Sequence, residues 1–407
     1  MGEPQHVVVL GGGLGGLAAA YYLNQTFGDA VNVTIVEADG QFGGWCRTKP
    51  QVGDTWFEMG PRSFRGANGE ETLKLVHQVG LDNALLFADK KMARARFVFL
   101  QGKLVKLGPF AALRRIGLWN ILCEPFVRQR RHTEDNDESV FAFAERRFGT
   151  GLATLLSALL TGIYAGDANQ LSVQSVLPLL ADLENKYGSV VLGAFGFLFK
   201  MIGGGLWAAV KRLWVRPPPL SAAEAFAKKM KRQSAVFTFK AGMGQLPQQL
   251  AESVQGQKLL TCSVKFLEVP GPASENHPVT VHVQSASSHV SSNLRADHVI
   301  STLPSWALAE VLQASHLCSA AEGKKPEDVL LECASVLNSV PFSSVAVVSL
   351  ALRATQCPWP AHQQGFGYLI PPSEGQAILG CLMESLTFPA AQPDGITRVT
   401  AMIGKEQ

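Results

Sequence analysis

The residues with the plainest chemical purpose are five glycines and one acid near the start of the chain. Gly11, Gly13 and Gly16 satisfy G-x-G-x-x-G within Gly11-Gly12-Gly13-Leu14-Gly15-Gly16, and Glu37 stands twenty-one residues beyond Gly16. In this spacing the first glycine makes a tight turn, the second lets backbone approach a pyrophosphate, and the third lets a helix pack close to a strand. A helix starting at the turn offers free N–H groups and partial positive charge to the phosphates. An acid at this distance accepts from a ribose hydroxyl and so favours an unphosphorylated ribose. The implied chemistry is retention of a dinucleotide.

Those groups need a strand before the turn, a helix after it, and a second strand to deliver the acid. His6 to Leu10 (HVVVL) is an uninterrupted, mostly β-branched run, the pattern of a strand covered on both faces in a parallel sheet. Leu17 to Leu23 (LAAAYYL) is a good helix former, and Val31 to Val36 (VNVTIV) is a second such strand running into Glu37. A glycine-rich structural turn accounts for the loop but leaves the acid unexplained.

With 407 residues the chain has length for two or three domains. Apolar residues make up 47% and charged ones 17%, against a usual figure of about 25% charged, so the protein is greasy but globular. A net charge of +3, with no basic helix interleaved with aromatics, argues against nucleic acid as a partner. The seven cysteines (46, 123, 262, 318, 333, 357 and 381) lie far apart with no C-x-x-C, and read as reduced intracellular thiols, most of them buried. The nine histidines are scattered singly, so no metal is expected. No secretory signal precedes the first strand, which starts so near Met1 that an organelle address is expected to be internal.

Gly43-Gly44-Trp45-Cys46-Arg47-Thr48 and Trp56 to Ser63 read as loops passing close to a ligand. Arg47 and Arg62 there suit contact with phosphate or a cofactor ring, although each alone also fits an ordinary surface charge. Glu71 to Val79 predicts a helix, Arg96 to Leu107 a hairpin around Gln101-Gly102, and Val140 to Phe148 a helix ending at Gly149. Leu152 to Ile163, apolar nearly all round, predicts a buried helix. A strand, a glycine turn (Gly242-Met243-Gly244) and a helix follow from Phe237 through Leu250. Leu259 to Val269 and Thr280 to Gln284 read as strands, Ala296 to Pro304 as a buried strand stopped by proline, and the alternating runs from Val340 as an antiparallel sheet.

Ser189 to Val210 is the most apolar window, with ten Leu, Ile, Phe or Val residues but also Lys200 and five glycines. On an insertion scale the ten supply about −3 to −6 kcal/mol and a central lysine costs about 2.5 to 3.5 kcal/mol, too little to assert a span. Trp207, Lys211, Arg212, Trp214 and Arg216 form an aromatic and basic fringe before the Pro217-Pro218-Pro219 break. One-sided membrane contact, a buried core helix and a true span all stay open on these residues alone.

Taken together, these motifs resemble the flavin-containing amine-oxidase superfamily and, within it, the protoporphyrinogen oxidase family in its animal mitochondrial form. The resemblance runs from Val7 to about Ile403. Superfamily members usually carry arginine after the glycine pair, whereas Gly43-Gly44-Trp45 here matches the narrower family. Gly60-Pro61-Arg62, Arg96-Phe97, Ile163-Tyr164-Ala165-Gly166, Ala296 to Pro304 and Gln364 to Leu369 match it too.

The resemblance implies an α/β fold: a Rossmann-like FAD-binding domain, a mixed-sheet substrate domain and a helical membrane-binding insertion. It assigns 1–90 and 220–305 to the FAD domain, 91–110 and 306–407 to the substrate domain, and 111–216 to the insertion. It implies that Gly11, Gly12, Gly13, Leu14, Gly15, Gly16 and Glu37 hold the adenosine diphosphate half of FAD, with the backbone of Val264 at the adenine end. Gly44, Trp45, Arg47, Gly60, Pro61, Arg62 and Ser63 then lie along the flavin, Arg96 meets a propionate, and Phe366, Gly367, Leu369 and Met402 sandwich a tetrapyrrole. The activity implied is oxidation of protoporphyrinogen IX to protoporphyrin IX with molecular oxygen as acceptor, giving hydrogen peroxide; the flavin carries the chemistry and no catalytic residue is required. A homodimer on the intermembrane-space face of the mitochondrial inner membrane is implied as well, touching the membrane surface peripherally, with a neighbouring haem-pathway enzyme as partner.

Family members continue past the position of Gln407 into a glycine-rich turn and a helix that close over the flavin, and a strand that completes the nucleotide-binding sheet. The resemblance therefore implies that these 407 residues alone bind FAD poorly and turn over little. Two further readings share the sequence. One is another FAD enzyme of amine-oxidase or carotenoid-desaturase type, against which Trp45 and Gly365-Phe366-Gly367 argue. The other is an inactive truncated isoform acting as a dimerisation or membrane module.

Overall fold

A computed structural model describes residues 3–52, 55–66, 69–108, 117–133, 136–200, 220–270, 278–317, 326–353 and 359–404. By its internal contacts the chain divides into one unit of Met1–Leu86 with Phe237–Phe342 and another of Phe87–Val236 with Ser343–Gln407.

In the first unit the β-branched runs do what their pattern requires. Gln5–Leu10 and Val31–Val36 pair in parallel, and Gln257–Leu259 and His298–Ser301 add to the outer side of each. Val8, Val9, Leu10 and Ile35 are fully buried, as a sheet covered on both faces demands. An antiparallel sheet of Cys262–Val269, Val279–Ser285 and Ser291–Ala296 shares its core with the parallel one, through Leu10, Val36, Leu267, Val281 and Val283. Val311, on the helix Ser305–Gln313, joins that cluster, which is why 306–342 groups with this unit and not with the sheet that follows it in sequence.

The run Ala296 to Pro304 departs from the expected single buried strand. It breaks at Asp297: Ala296 ends the antiparallel sheet and His298–Ser301 becomes an edge of the parallel one, with His298 and Ser301 exposed. Asp297 clamps the entry, its Oδ2 accepting the His6 amide at 2.7 Å while its own amide donates to the His6 carbonyl at 2.8 Å.

The second unit is built on a six-stranded sheet in the order Val345–Arg353, Ile396–Gly404, Ile378–Leu382, Gly367–Leu369, Arg96–Leu100, Lys103–Leu107. Neighbours run antiparallel except Gly367–Leu369 and Arg96–Leu100, which are parallel. Gln101 (φ 51°) and Gly102 (φ 75°) turn the hairpin in the left-handed region, the geometry of a two-residue primed turn. Helices Val140–Phe148, Thr150–Tyr164 and Pro178–Tyr187 share a core centred on Val140, Phe143, Leu160 and Val173. Thr150–Tyr164 is not buried all round: Ile163 and Tyr164 are exposed at its C-terminal end.

A buried ionic hub ties these helices together. Arg147, with a fully buried side chain, donates to Glu124 at 2.8 Å and also to Glu184. Arg146 bridges Glu138 and Glu184 at 2.6 and 3.0 Å, and His132 Nε2 lies 3.0 Å from Glu184. Glu124 in turn accepts the amides of Val190 and Val191 at 2.8 and 3.1 Å, fixing the start of the helical residues 190–200. His132, Glu138 and Glu184 have metal-like spacing, but both carboxylates already carry guanidinium partners, so the cluster is an ion-pair network.

The second half of the apolar window, with its fringe and Pro217-Pro218-Pro219, lies outside the described residues. Among the described residues, no helix is long and apolar enough to cross a membrane. The expectation that most cysteines are buried needs correction: of the five described, Cys46 and Cys381 are buried, Cys123 and Cys262 intermediate, and Cys333 exposed, because it sits on the open helix Pro326–Asn338.

Candidate functional site

The glycine loop lies at the C-terminal ends of the parallel strands, where open α/β sheets bind ligands. Gly11 turns at φ 98° and its amide donates to Val36 at 2.9 Å. A Cβ on Gly16 would fall 1.9 Å from the Gly11 carbonyl oxygen, so glycine here lets the helix Leu14–Phe27 start against the strand end. Gly13 differs. A Cβ there would meet nothing closer than the Cα of Gly44 at 3.9 Å, leaving free space beside the helix N-terminus for a phosphate. Leu14 and Gly15 open that helix, which has no side-chain cap at its first turn.

Glu37 faces the loop. Its Oε2 accepts the Gly12 amide at 2.7 Å and its Oε1 the Asp39 amide at 2.8 Å. A carboxylate has about four acceptor positions, so capacity for a ribose hydroxyl remains. Gly11, Glu37 and Val264 line one cavity of about 380 Å³, together with Cys262, Lys265, Leu303 and Glu310. Three of the expected residues are thus brought to one concavity of a size suited to a nucleoside, and the donor set fits the adenosine end of FAD.

The residues expected along the flavin also gather in this unit. Gly43 donates to Gly12 at 2.9 Å, and a Cβ on Gly60 would fall 2.1 Å from the Trp45 carbonyl oxygen, so the two loops meet there. Trp45 is 71% exposed, Arg62 donates to the Gly60 carbonyl at 2.7 Å, and Pro61 and Ser63 stay at the surface or half-buried. The Arg47 amide donates to the Trp45 carbonyl at 3.0 Å, but its side chain pairs with Asp39, and the residue lines a cavity of about 580 Å³ with Thr48, Trp56 and Gln248 rather than with the other expected cofactor residues.

Sequence reasoning missed the supports. Thr302, just past the edge strand, donates to the carbonyls of Leu10 and Gly11 at 3.0 and 3.2 Å and buttresses the turn. Buried Glu58 accepts from Thr48 Oγ1 at 2.8 Å and from the Met243 amide at 2.7 Å, tying the Gly242 turn to the flavin-side loops. Thr302 was discoverable, because the residue after a parallel strand faces the ligand crevice; Glu58 carried no signal.

The residues expected to sandwich a tetrapyrrole lie in the second unit, where strand register brings several of them to one face. Arg96, Gly367, Leu382 and Thr400 form one row across the sheet; Val98, Leu369, Gly380 and Met402 form the next, two residues along and on the same face. Arg96 stands over the Phe366 ring, 5.3 Å from its centroid. Gly162, outside the expected set, lets the helix Thr150–Tyr164 reach this face: a Cβ on it would fall 2.2 Å from Leu369 Cδ2.

Known proteins are similar to this chain over nearly its whole length. A model of the flavin containing amine oxidoreductase family matches residues 14–407. The chain is 31% identical to protoporphyrinogen oxidase of Bos taurus, over 98% of this chain and 77% of that protein. It is 29% identical to a protoporphyrinogen oxidase of Nicotiana tabacum named as mitochondrial, over 99% of this chain and 77% of that protein. A crystal structure from Exiguobacterium sp., provisionally named a protoporphyrinogen oxidase, superposes with a TM-score of 0.69 at 20% identity, covering 98% of this chain and 77% of that one, and attests the fold. The chain belongs to the flavin-containing amine oxidoreductase family, in its protoporphyrinogen oxidase branch. It is an oxidoreductase, and its cofactor is a flavin.

Proposed function

We propose that this chain oxidises protoporphyrinogen IX to protoporphyrin IX, with molecular oxygen as final acceptor and hydrogen peroxide as the reduced product. The observation that carries the reading is the shared sheet face of Arg96, Gly367, Leu369 and Met402, which sets apolar side chains in register with one exposed cation, Arg96. That suits an oily macrocycle bearing acidic side arms and offers little to a small amine. When bound, FAD supplies the hydride acceptor. The chain's own part is to bind, orient and exclude water: Arg96 for a propionate, Phe366 and Leu369 for the ring, the glycine loop and Glu37 for the dinucleotide. Peroxide release measured with protoporphyrinogen IX and with a primary amine tests this; faster oxidation of the amine overturns it.

Peripheral attachment to the mitochondrial inner membrane on its intermembrane-space face, as a homodimer beside another haem-pathway enzyme, completes the proposal. In its support, Trp119, Phe126 and Phe199 of the helical part are each about three-quarters or more exposed (75%, 88% and 74%). Sedimentation with phospholipid vesicles tests it, Phe126→Ser and Phe199→Ser being expected to leave more protein in the supernatant.

A further inference from the structure

The second unit also carries a concave surface that none of these roles uses. Lys90, Lys91, Arg94, Ala95 and Lys106 line a cavity of about 440 Å³. All four cations are exposed, and among the described residues none of their side chains has an ion pair. The neighbouring acid, Asp89, forms no ion pair with them among the described residues; its Oδ1 accepts the amides of Lys91 and Met92 at 2.9 Å each. The frame is held by backbone bonds: the Asp89 amide donates to Thr387 at 2.9 Å, and the Ala95 carbonyl accepts from Phe366 at 2.8 Å. Lys106 pairs across the hairpin with Phe97, whereas Arg96 pairs with Leu107, so Lys106 points to the face opposite Arg96. This site is therefore separate from the propionate anchor.

Four like charges around one concavity repel each other and raise the local positive potential, a cost that a bound anion offsets. A carboxylate brings one charge and two oxygens; a phosphate group brings nearly two charges and three oxygens, which lysine ammonium groups meet as point charges and an arginine fork meets bidentately. We propose that this cavity is a phosphate-binding site, taking the phosphate of a soluble ligand or of a lipid headgroup.

The test uses the full chain, titrated calorimetrically with inorganic pyrophosphate and sedimented with phosphatidylcholine vesicles with and without phosphatidylglycerol, at low and physiological ionic strength. The Lys91→Gln/Arg94→Gln double variant should weaken binding by about tenfold or more. Lys228→Gln/Lys229→Gln, which removes the same charge from the exposed face of Ala222–Met230, should not. Melting temperatures check that both variants fold. Pyrophosphate binding lost in the first variant assigns a soluble ligand; phosphatidylglycerol-dependent sedimentation alone, lost in that variant, assigns a headgroup. No binding of either probe, or equal weakening in both variants, overturns the proposal.

Discussion

The Glu37 carboxylate accepts the Gly12 amide at 2.7 Å, joining the acid to the loop across twenty-five residues of sequence. The strand-end acid therefore shapes the turn itself. Glu37→Gln sets an amide donor against one of the two N–H groups, a mismatch worth about 1–3 kcal/mol. FAD affinity, followed by quenching of flavin fluorescence, is expected to fall on the order of tenfold; unchanged affinity would remove Glu37 from the site.

Gly13 and Gly16 should separate binding from folding. Gly13→Ala places a methyl in free space, so the protein without flavin should melt within about 0.5 kcal/mol of wild type while losing FAD. Gly16→Ala drives a methyl into the Gly11 carbonyl and should lower the melting temperature as well. Similar behaviour of the two variants would contradict the roles given to them.

The contrast also marks what the sequence could tell. Glycine spacing and β-branched runs are local signals, and they located the loop, the acid and the parallel strands. The shared face of Arg96, Leu369 and Met402 depends on pairing between strands far apart in sequence, which periodicity does not encode. Family resemblance named those residues without their register. The hub around Arg147 was invisible because its partners, Glu124 and Glu184, are spread over sixty residues of unremarkable charge.

That hub predicts acid lability in the helical region. Burial pushes the Glu184 carboxyl up, but bonds from Arg146, Arg147, the Arg130 amide and His132 outweigh it and hold the group at about 2, against an ordinary value of 4.5. A depressed carboxylate contributes stability that is present above about pH 4.5 and lost as pH falls toward 2, on the order of 3 kcal/mol. Glu184→Gln should flatten the acid side of a pH–stability profile and, by leaving Arg147 short of a partner, cost about 3–5 kcal/mol at neutral pH. An unaltered profile would contradict the pairing.

Cysteine labelling should follow burial. Burial pushes the Cys381 thiol up to about 11, with Glu384 adding to it against bonds from Tyr368 and Thr400, and raises Cys46 as well. Mass spectrometry after brief iodoacetamide treatment at pH 8 is expected to find Cys333 modified and Cys46 and Cys381 intact. Early modification of Cys381 would contradict its placement.

Arg96→Leu should raise KM for protoporphyrinogen IX about tenfold or more with little change in kcat, the pattern of lost uniform binding. The difference should shrink with the dimethyl ester, which lacks the propionate charge. A loss confined to kcat would place Arg96 in the reaction itself.

The most direct test is the visible spectrum of the chain in excess FAD during anaerobic addition of protoporphyrinogen IX. The flavin bands should bleach in step with the rise of the porphyrin bands, and air should restore the yellow colour. A flavin spectrum that stays unchanged while the porphyrinogen stays reduced would contradict the assignment.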